Sequence, residues 1–72
     1  MDLRKRFGRT IRRLREEAGY SQEAFADKAK VHRTYMGTVE RGETNLTLAN
    51  IEKLADALDL KMWQLLKEME EG

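Results

Sequence analysis

Residues 31 to 42 read VHRTYMGTVERG. Val31, Met36 and Val39 recur at helical spacing and belong in a core. Arg33, Thr34, Thr38 and Arg41 gather on the opposite face of the same helix, around Gly37, with Tyr35 at the edge. These are hydrogen-bond donors and acceptors set about a residue with no side chain. Open water would suit them, as would the floor of a DNA groove that such a helix could approach closely. The elements that hold this helix must decide between the two.

Bond-making chemistry is poorly provided for. The chain has no cysteine and one histidine, His32, with no plausible nucleophile beside it. No glycine-rich phosphate loop is present, and a single histidine does not build a zinc cage. An enzyme, a metal centre and a cofactor are therefore not expected. His32 reads as a residue at the start of a helix, and Glu68, Glu70 and Glu71 as a solvated tail.

The periodicity is helical throughout. Leu3, Phe7, Ile11, Leu14 and Ala18 form one stripe on a first helix that ends at Gly19. Ser21 can N-cap a second helix, although Ala24 at its third position leaves the capping box incomplete. Phe25, Ala26 and Ala29 form its inner side. Lys30-Val31 is a tight connection to a third helix, from about His32 to Arg41, with Gly42 as its C′ residue. Thr47 can cap a fourth helix burying Leu48, Ile51, Leu54, Ala55 and Leu58. A fifth, from near Lys61 to Met69, presents Met62, Trp63, Leu65, Leu66 and Met69. Proline is absent, and no segment has the alternation of a strand. The expected fold is an all-α, five-helix bundle, with residues 1–72 forming one domain.

The 72 residues carry a net charge of only +1, but unevenly. Residues 1–19 hold seven basic against three acidic groups, residues 20–47 four of each, and residues 48–72 three against six. The amino-terminal side should attract polyanions; charges that merely solvate helix faces are the competing reading. A chain this short buries only about 60% of the surface its unfolded form exposes. Without disulfides or metal, a second copy is a plausible source of further burial. No apolar run is long enough for a bilayer span or a secretion signal, which sets the cytoplasm as the default location.

Helices two and three have the arithmetic of a helix-turn-helix. With Gln22 as position 1 of a twenty-residue unit, Phe25, Ala29, Val31, Met36 and Val39 fall at 4, 8, 10, 15 and 18. Ala26 fills position 5, where close helix crossing demands a small side chain. The stretch YSQEAFADKAKVHRTYMGTVERG, continued by ETNLTLANIEKLADALDL and WQLL, resembles the Cro/C1-repressor type of regulator, the XRE family with its lambda-repressor-like fold. Within that family, RTYMGTVERGETNLT is most similar to the controller proteins of restriction–modification systems.

That resemblance implies a sequence-specific transcriptional regulator of double-stranded DNA, acting as a homodimer on a roughly palindromic operator. It implies base-edge contacts for Arg33, Thr34 and Thr38. Backbone contacts would fall to Gln22, Tyr35, Arg41, Asn45 and Thr47. Arg15 and Glu40 match positions that the family pairs as a part-buried salt bridge between the first and third helices. Lys30 departs from the pattern, since glycine is favoured there for a positive φ; a left-handed lysine costs roughly 1–2 kcal/mol.

Five apolar residues among the nine from Lys61 to Met69 exceed what one face of a terminal helix needs. Met62, Trp63 and Leu66 are the candidate dimer surface; a Trp63 folded back over its own core is the alternative. Two-fold pairing through this helix would set the two third helices about 34 Å apart, in successive major grooves. A competing reading is an antitoxin-like interaction module whose fifth helix captures a different chain. No small-molecule ligand domain is evident.

Overall fold

The computed structural model describes residues 2–72, which form five helices and, among the described residues, no strand. They are α1 (Leu3–Glu17), α2 (Gln22–Ala29), α3 (Arg33–Glu40), α4 (Leu48–Ala57) and α5 (Met62–Glu71).

Each start has a local cause. Asp2 Oδ1 accepts from the Arg4 amide at 2.7 Å, and hydrogen bonds from Arg4, first of all its side chain, pull the Asp2 carboxyl pKa below the usual value. Ser21 Oγ accepts from Ala24 N at 3.1 Å, and Thr47 Oγ1 accepts from Asn50 N at 3.1 Å. Gln64 folds back to accept from the Lys61 amide at 2.8 Å. At α3 the cap is His32: its Nδ1 accepts from Thr34 N at 3.0 Å. That bond requires an imidazole unprotonated at Nδ1.

Four helices stop in the same way. Tyr20 N, Val31 N, Glu43 N and Leu60 N bond to Arg15 O, Ala26 O, Thr38 O and Ala55 O, each closing a Schellman turn at about 3 Å. The residue before each donor lies at positive φ: Gly19 at 86°, Lys30 at 61°, Gly42 at 72° and Asp59 at 58°. The α2–α3 turn thus keeps its left-handed geometry with Lys30 in place of glycine, and so carries strain. Gly42 is doubly constrained, because an added Cβ would also lie 2.8 Å from Lys5 Cα.

The core draws on every helix: Phe7 and Ile11, Phe25, Ala26 and Ala29, Met36 and Val39, Leu54, Ala55 and Ala57, Leu65 and Met69. Some inward assignments made from periodicity need correction. Leu48 is 75% exposed and Leu3 61%, because each opens its helix at an end that overhangs the core. Ala18 caps α1 in solvent, while Ile51 and Leu58 are half-buried. Ala57 and Thr10 are buried in addition, with the Thr10 hydroxyl satisfied by Arg6 O at 3.0 Å.

Two close approaches hold α3 in place. Ala26 is fully buried at the α2–α3 crossing. On the other side Gly8 of α1 rides on the end of α3, where a Cβ would collide with the carbonyl oxygens of Val39 and Glu40. Nothing larger than glycine fits there without moving the helix.

Candidate nucleic-acid interface

The base of the site is an ion pair. Arg15 Nε and Nη2 donate to Glu40 Oε2 and Oε1 at 2.7 and 3.0 Å, while Nη1 donates to Tyr20 O at 2.8 Å. The two side chains are only 9% and 5% exposed. The hydrogen bonds to Glu40 raise the Arg15 pKa above its already high ordinary value, against the pull of desolvation. One guanidinium thus ties α1 to α3 and to the α1–α2 turn.

Gln22 hangs from the same carboxylate, its Nε2 donating to Glu40 Oε1 at 3.2 Å. One amide hydrogen and the amide oxygen remain for an outside partner. Gly37 lies beneath this group and is buried. A Cβ there would stand 3.0 Å from Arg41 Nη1 and 3.6 Å from Gln22 Oε1. Gly37 is therefore not a bare spot on the helix, as its spacing suggested; it makes room for Arg41 to fold back beside Gln22. Arg41 Nε is also held by Glu43 at 2.9 Å.

Arg33 and Thr34 stand exposed in the first turn of α3. Arg33 Nη1 reaches Glu23 Oε1 of α2 at 2.9 Å. Thr38 is half-buried, and its hydroxyl donates to Tyr35 O at 2.7 Å, so what it can still offer a groove is an acceptor and a methyl. Tyr35 packs its ring against the core edge while its hydroxyl accepts from Asn50 Nδ2 at 3.0 Å. The phenolic hydrogen stays available to an external acceptor.

Thr47 Oγ1, occupied as a cap by Asn50 N, likewise keeps its own hydrogen. Asn45 is exposed, and its side-chain amide has no hydrogen-bond partner among the described residues. Gln22, Gly37 and Arg41 therefore form one group, Tyr35, Thr38, Asn50 and Thr47 a second, and Arg33 with Glu23 a third. Asn45 joins none of them.

Glu23, Asn50 and the capping role of His32 were not picked out from the sequence. A serine or aspartate at the His32 position would have announced a cap. Glu23 and Asn50 act through contacts ten and fifteen residues away in the chain, which no local pattern encodes.

The candidate dimer residues divide. Trp63 is 60% exposed and faces a shallow cleft with Leu60, Gln64 and Lys67. Leu66 is half-buried and lines an apolar groove with Leu3, Phe7, Leu46, Ile51 and Met69. Met62 is half-buried against the core. No helix among the described residues is long and apolar enough to cross a membrane, and no group of three or more metal-ligating side chains converges among them.

Comparison with known proteins places the architecture. A family model described as a helix-turn-helix domain matches residues 6–62. The control protein C.MunI of Mycoplasma sp is 36% identical, over 96% of this chain and 95% of its own length. The control protein C.BamHI of Bacillus amyloliquefaciens is 39% identical, over 90% of this chain and 82% of its own. Among solved structures, the restriction-modification controller protein C.AhdI of Aeromonas hydrophila superposes with a TM-score of 0.82 at 45% identity. That match covers 86% of this chain and 94% of C.AhdI.

Proposed function

The chain belongs to the helix-turn-helix domain family, alongside the restriction–modification controller proteins, and from that premise we propose how it engages an operator as such a controller. It is a transcriptional regulator that binds double-stranded DNA, and its family is not an enzyme class. Its place of work is the cytoplasm.

In the proposed complex the first turn of α3 enters the major groove. Arg33 offers its planar fork to a guanine's O6 and N7, the commonest specific contact in such grooves. Thr34 adds an exposed hydroxyl, and Thr38 an acceptor and a methyl for a neighbouring base edge. Gln22, Arg41, Tyr35, Asn45 and Thr47 grip the phosphates to either side. These contacts supply affinity and register, and the base contacts supply discrimination.

The observation that carries this reading is the exposed start of α3, braced by the buried Arg15–Glu40 pair and flanked by side chains that keep unspent donors. The bracing matters because a base contact tolerates little positional slack, whereas a solvated face needs none.

The regulator is further proposed to act as a homodimer through α5. The exposed Trp63, and the apolar groove that the exposed Leu3 shares with Leu66, support an association surface along this helix. Met62 would contribute from beneath.

Selection from a random DNA pool tests the assembly as a whole. The expected product is a two-fold symmetric motif with half-site centres about 10–10.5 base pairs apart. A motif without symmetry would remove the two-fold dimer, and no enrichment at all would remove sequence-specific binding. Sedimentation at micromolar concentration separates the dimer surface: Trp63→Ala should shift the chain toward monomer. A wild-type monomer, or a dimer indifferent to that change, would contradict the α5 seam.

A further inference from the structure

The acidic residue nearest the base-reading side chain has no part in the scheme above. Glu23 stands at the second position of α2, where the helix dipole favours a carboxylate. It faces away from its own helix to receive Arg33 Nη1 at 2.9 Å, although both side chains are about two-thirds exposed. Asp27, one turn further along α2, lines the same small cleft with Val31, His32 and Arg33. The arginine therefore leaves α3 across an acidic shelf on α2. A carboxylate beside a polyanion is unfavourable, so placing one here works against affinity for DNA in general.

The geometry suggests what it gains. A guanidinium has five N–H donors in a rigid plane, and Glu23 takes one through Nη1. The donors that remain suffice for the paired contact to O6 and N7 of a guanine, and the carboxylate fixes the orientation of the plane. In free protein the pair is solvated and weak. Against DNA, water is displaced and the effective dielectric falls, so the same contact strengthens.

Where no guanine is offered, the alternative partner for Arg33 is a phosphate, and there Glu23 competes for the guanidinium and repels the strand. We propose that Glu23 is a specificity-determining residue: it presents Arg33 edge-on to a guanine and withholds it from the phosphates of other sequences. This rests on the reading that Arg33 meets a base edge.

The test measures affinity of the full chain for a selected operator and for a scrambled duplex of equal length, at one salt concentration. Glu23→Gln should raise scrambled-duplex affinity more than operator affinity, so that the ratio of the two falls about tenfold, a shift near 1.4 kcal/mol. Glu23→Asp should keep the charge and retain most of the ratio. Once Arg33→Ala is present, adding Glu23→Gln should lower the ratio no further. Glu23→Gln should lower the melting temperature by no more than roughly a few degrees, the loss of one favourable helix-dipole charge, so the chain stays folded in both binding measurements and the effect is separated from folding.

Equal gains on both duplexes would reduce Glu23 to bulk charge and overturn the proposal while leaving Arg33 as the reader. If Arg33→Ala itself preserved the ratio, the base-reading role would fall, and this inference with it.

Discussion

Removing the Glu40 carboxylate should be the most damaging single polar change in the molecule. In Glu40→Ala, Arg15 loses the partner that raises its pKa, yet it remains charged, because a guanidinium is too basic to give up its proton at any working pH. Its side chain is 9% exposed, and it would lose two short charge-assisted bonds at once. Stranding a buried charge in this way costs roughly 3–5 kcal/mol. A chain of this length has a total stability of roughly 4–11 kcal/mol at typical values per residue. The variant should thus forfeit about a quarter or more of its stability, lowering the melting temperature by at least about 12 °C.

Urea denaturation followed by far-ultraviolet circular dichroism would read the loss as a fall in midpoint at constant slope. The companion variant Arg15→Met with Glu40→Met leaves no charge behind and should recover at least half of the loss. Its deficit should reflect the Tyr20 carbonyl and the Gln22 amide, which both lose partners. A cost below about 1 kcal/mol for Glu40→Ala, as for an exposed pair, would refute the reasoning. So would a double variant no better than the single one.

Three other changes probe the backbone around α3. Gly37→Ala should stabilise the helix by about 1 kcal/mol, yet push aside the Arg41 guanidinium that now stands 3.0 Å from the new Cβ. Thermal melting should rise while the slope of log affinity against log salt drops by about one phosphate contact; an unchanged slope would free Arg41 from its assigned place. Lys30→Gly relieves a residue at φ 61° and, after the entropy lost to glycine, should raise stability by about 0.5–1 kcal/mol in urea. Gly8→Ala should lower it by about 1–3 kcal/mol through overpacking against α3; a neutral result would mean that α1 and α3 can separate freely.

Much of this architecture was legible in the chain because it is written in local terms. The steps between Phe7 and Ile11, the small Ala26, the hydroxyls of Ser21 and Thr47, and Gly19 and Gly42 are each tied to a helix interior, a crossing, a start or a stop. Two of the four Schellman turns escaped this logic: Lys30 and Asp59 adopt the left-handed conformation that glycine signals elsewhere. Tertiary packing holds them there against their intrinsic preference, through the core contacts of Val31 and Leu60 that follow. Leu48 misled because hydrophobic period says which face a residue occupies, not whether the helix end extends past its neighbours.

The candidate site was legible as a set of residue types and much less as an arrangement. That Arg33 leans on Glu23 and that Tyr35 is held by Asn50 depend on how three helices meet. That Arg41 folds back over Gly37, four residues before it, depends on a side-chain rotamer that spacing does not reveal. The Arg15–Glu40 pair came from resemblance, since nothing in the spacing of two residues twenty-five apart announces a contact.

The central claim is that the guanidinium of Arg33 meets a guanine in the major groove. Methylation of guanine N7 across a selected operator, followed by separation of bound from free DNA, tests it most directly. With wild-type protein, a methyl group at one guanine in each half-site should block binding. With Arg33→Ala, that guanine should become indifferent while interference elsewhere persists, and discrimination worth about 1–3 kcal/mol should vanish at that base pair alone. An interference pattern identical in the two proteins, or a uniform weakening across all sequences, would contradict the account.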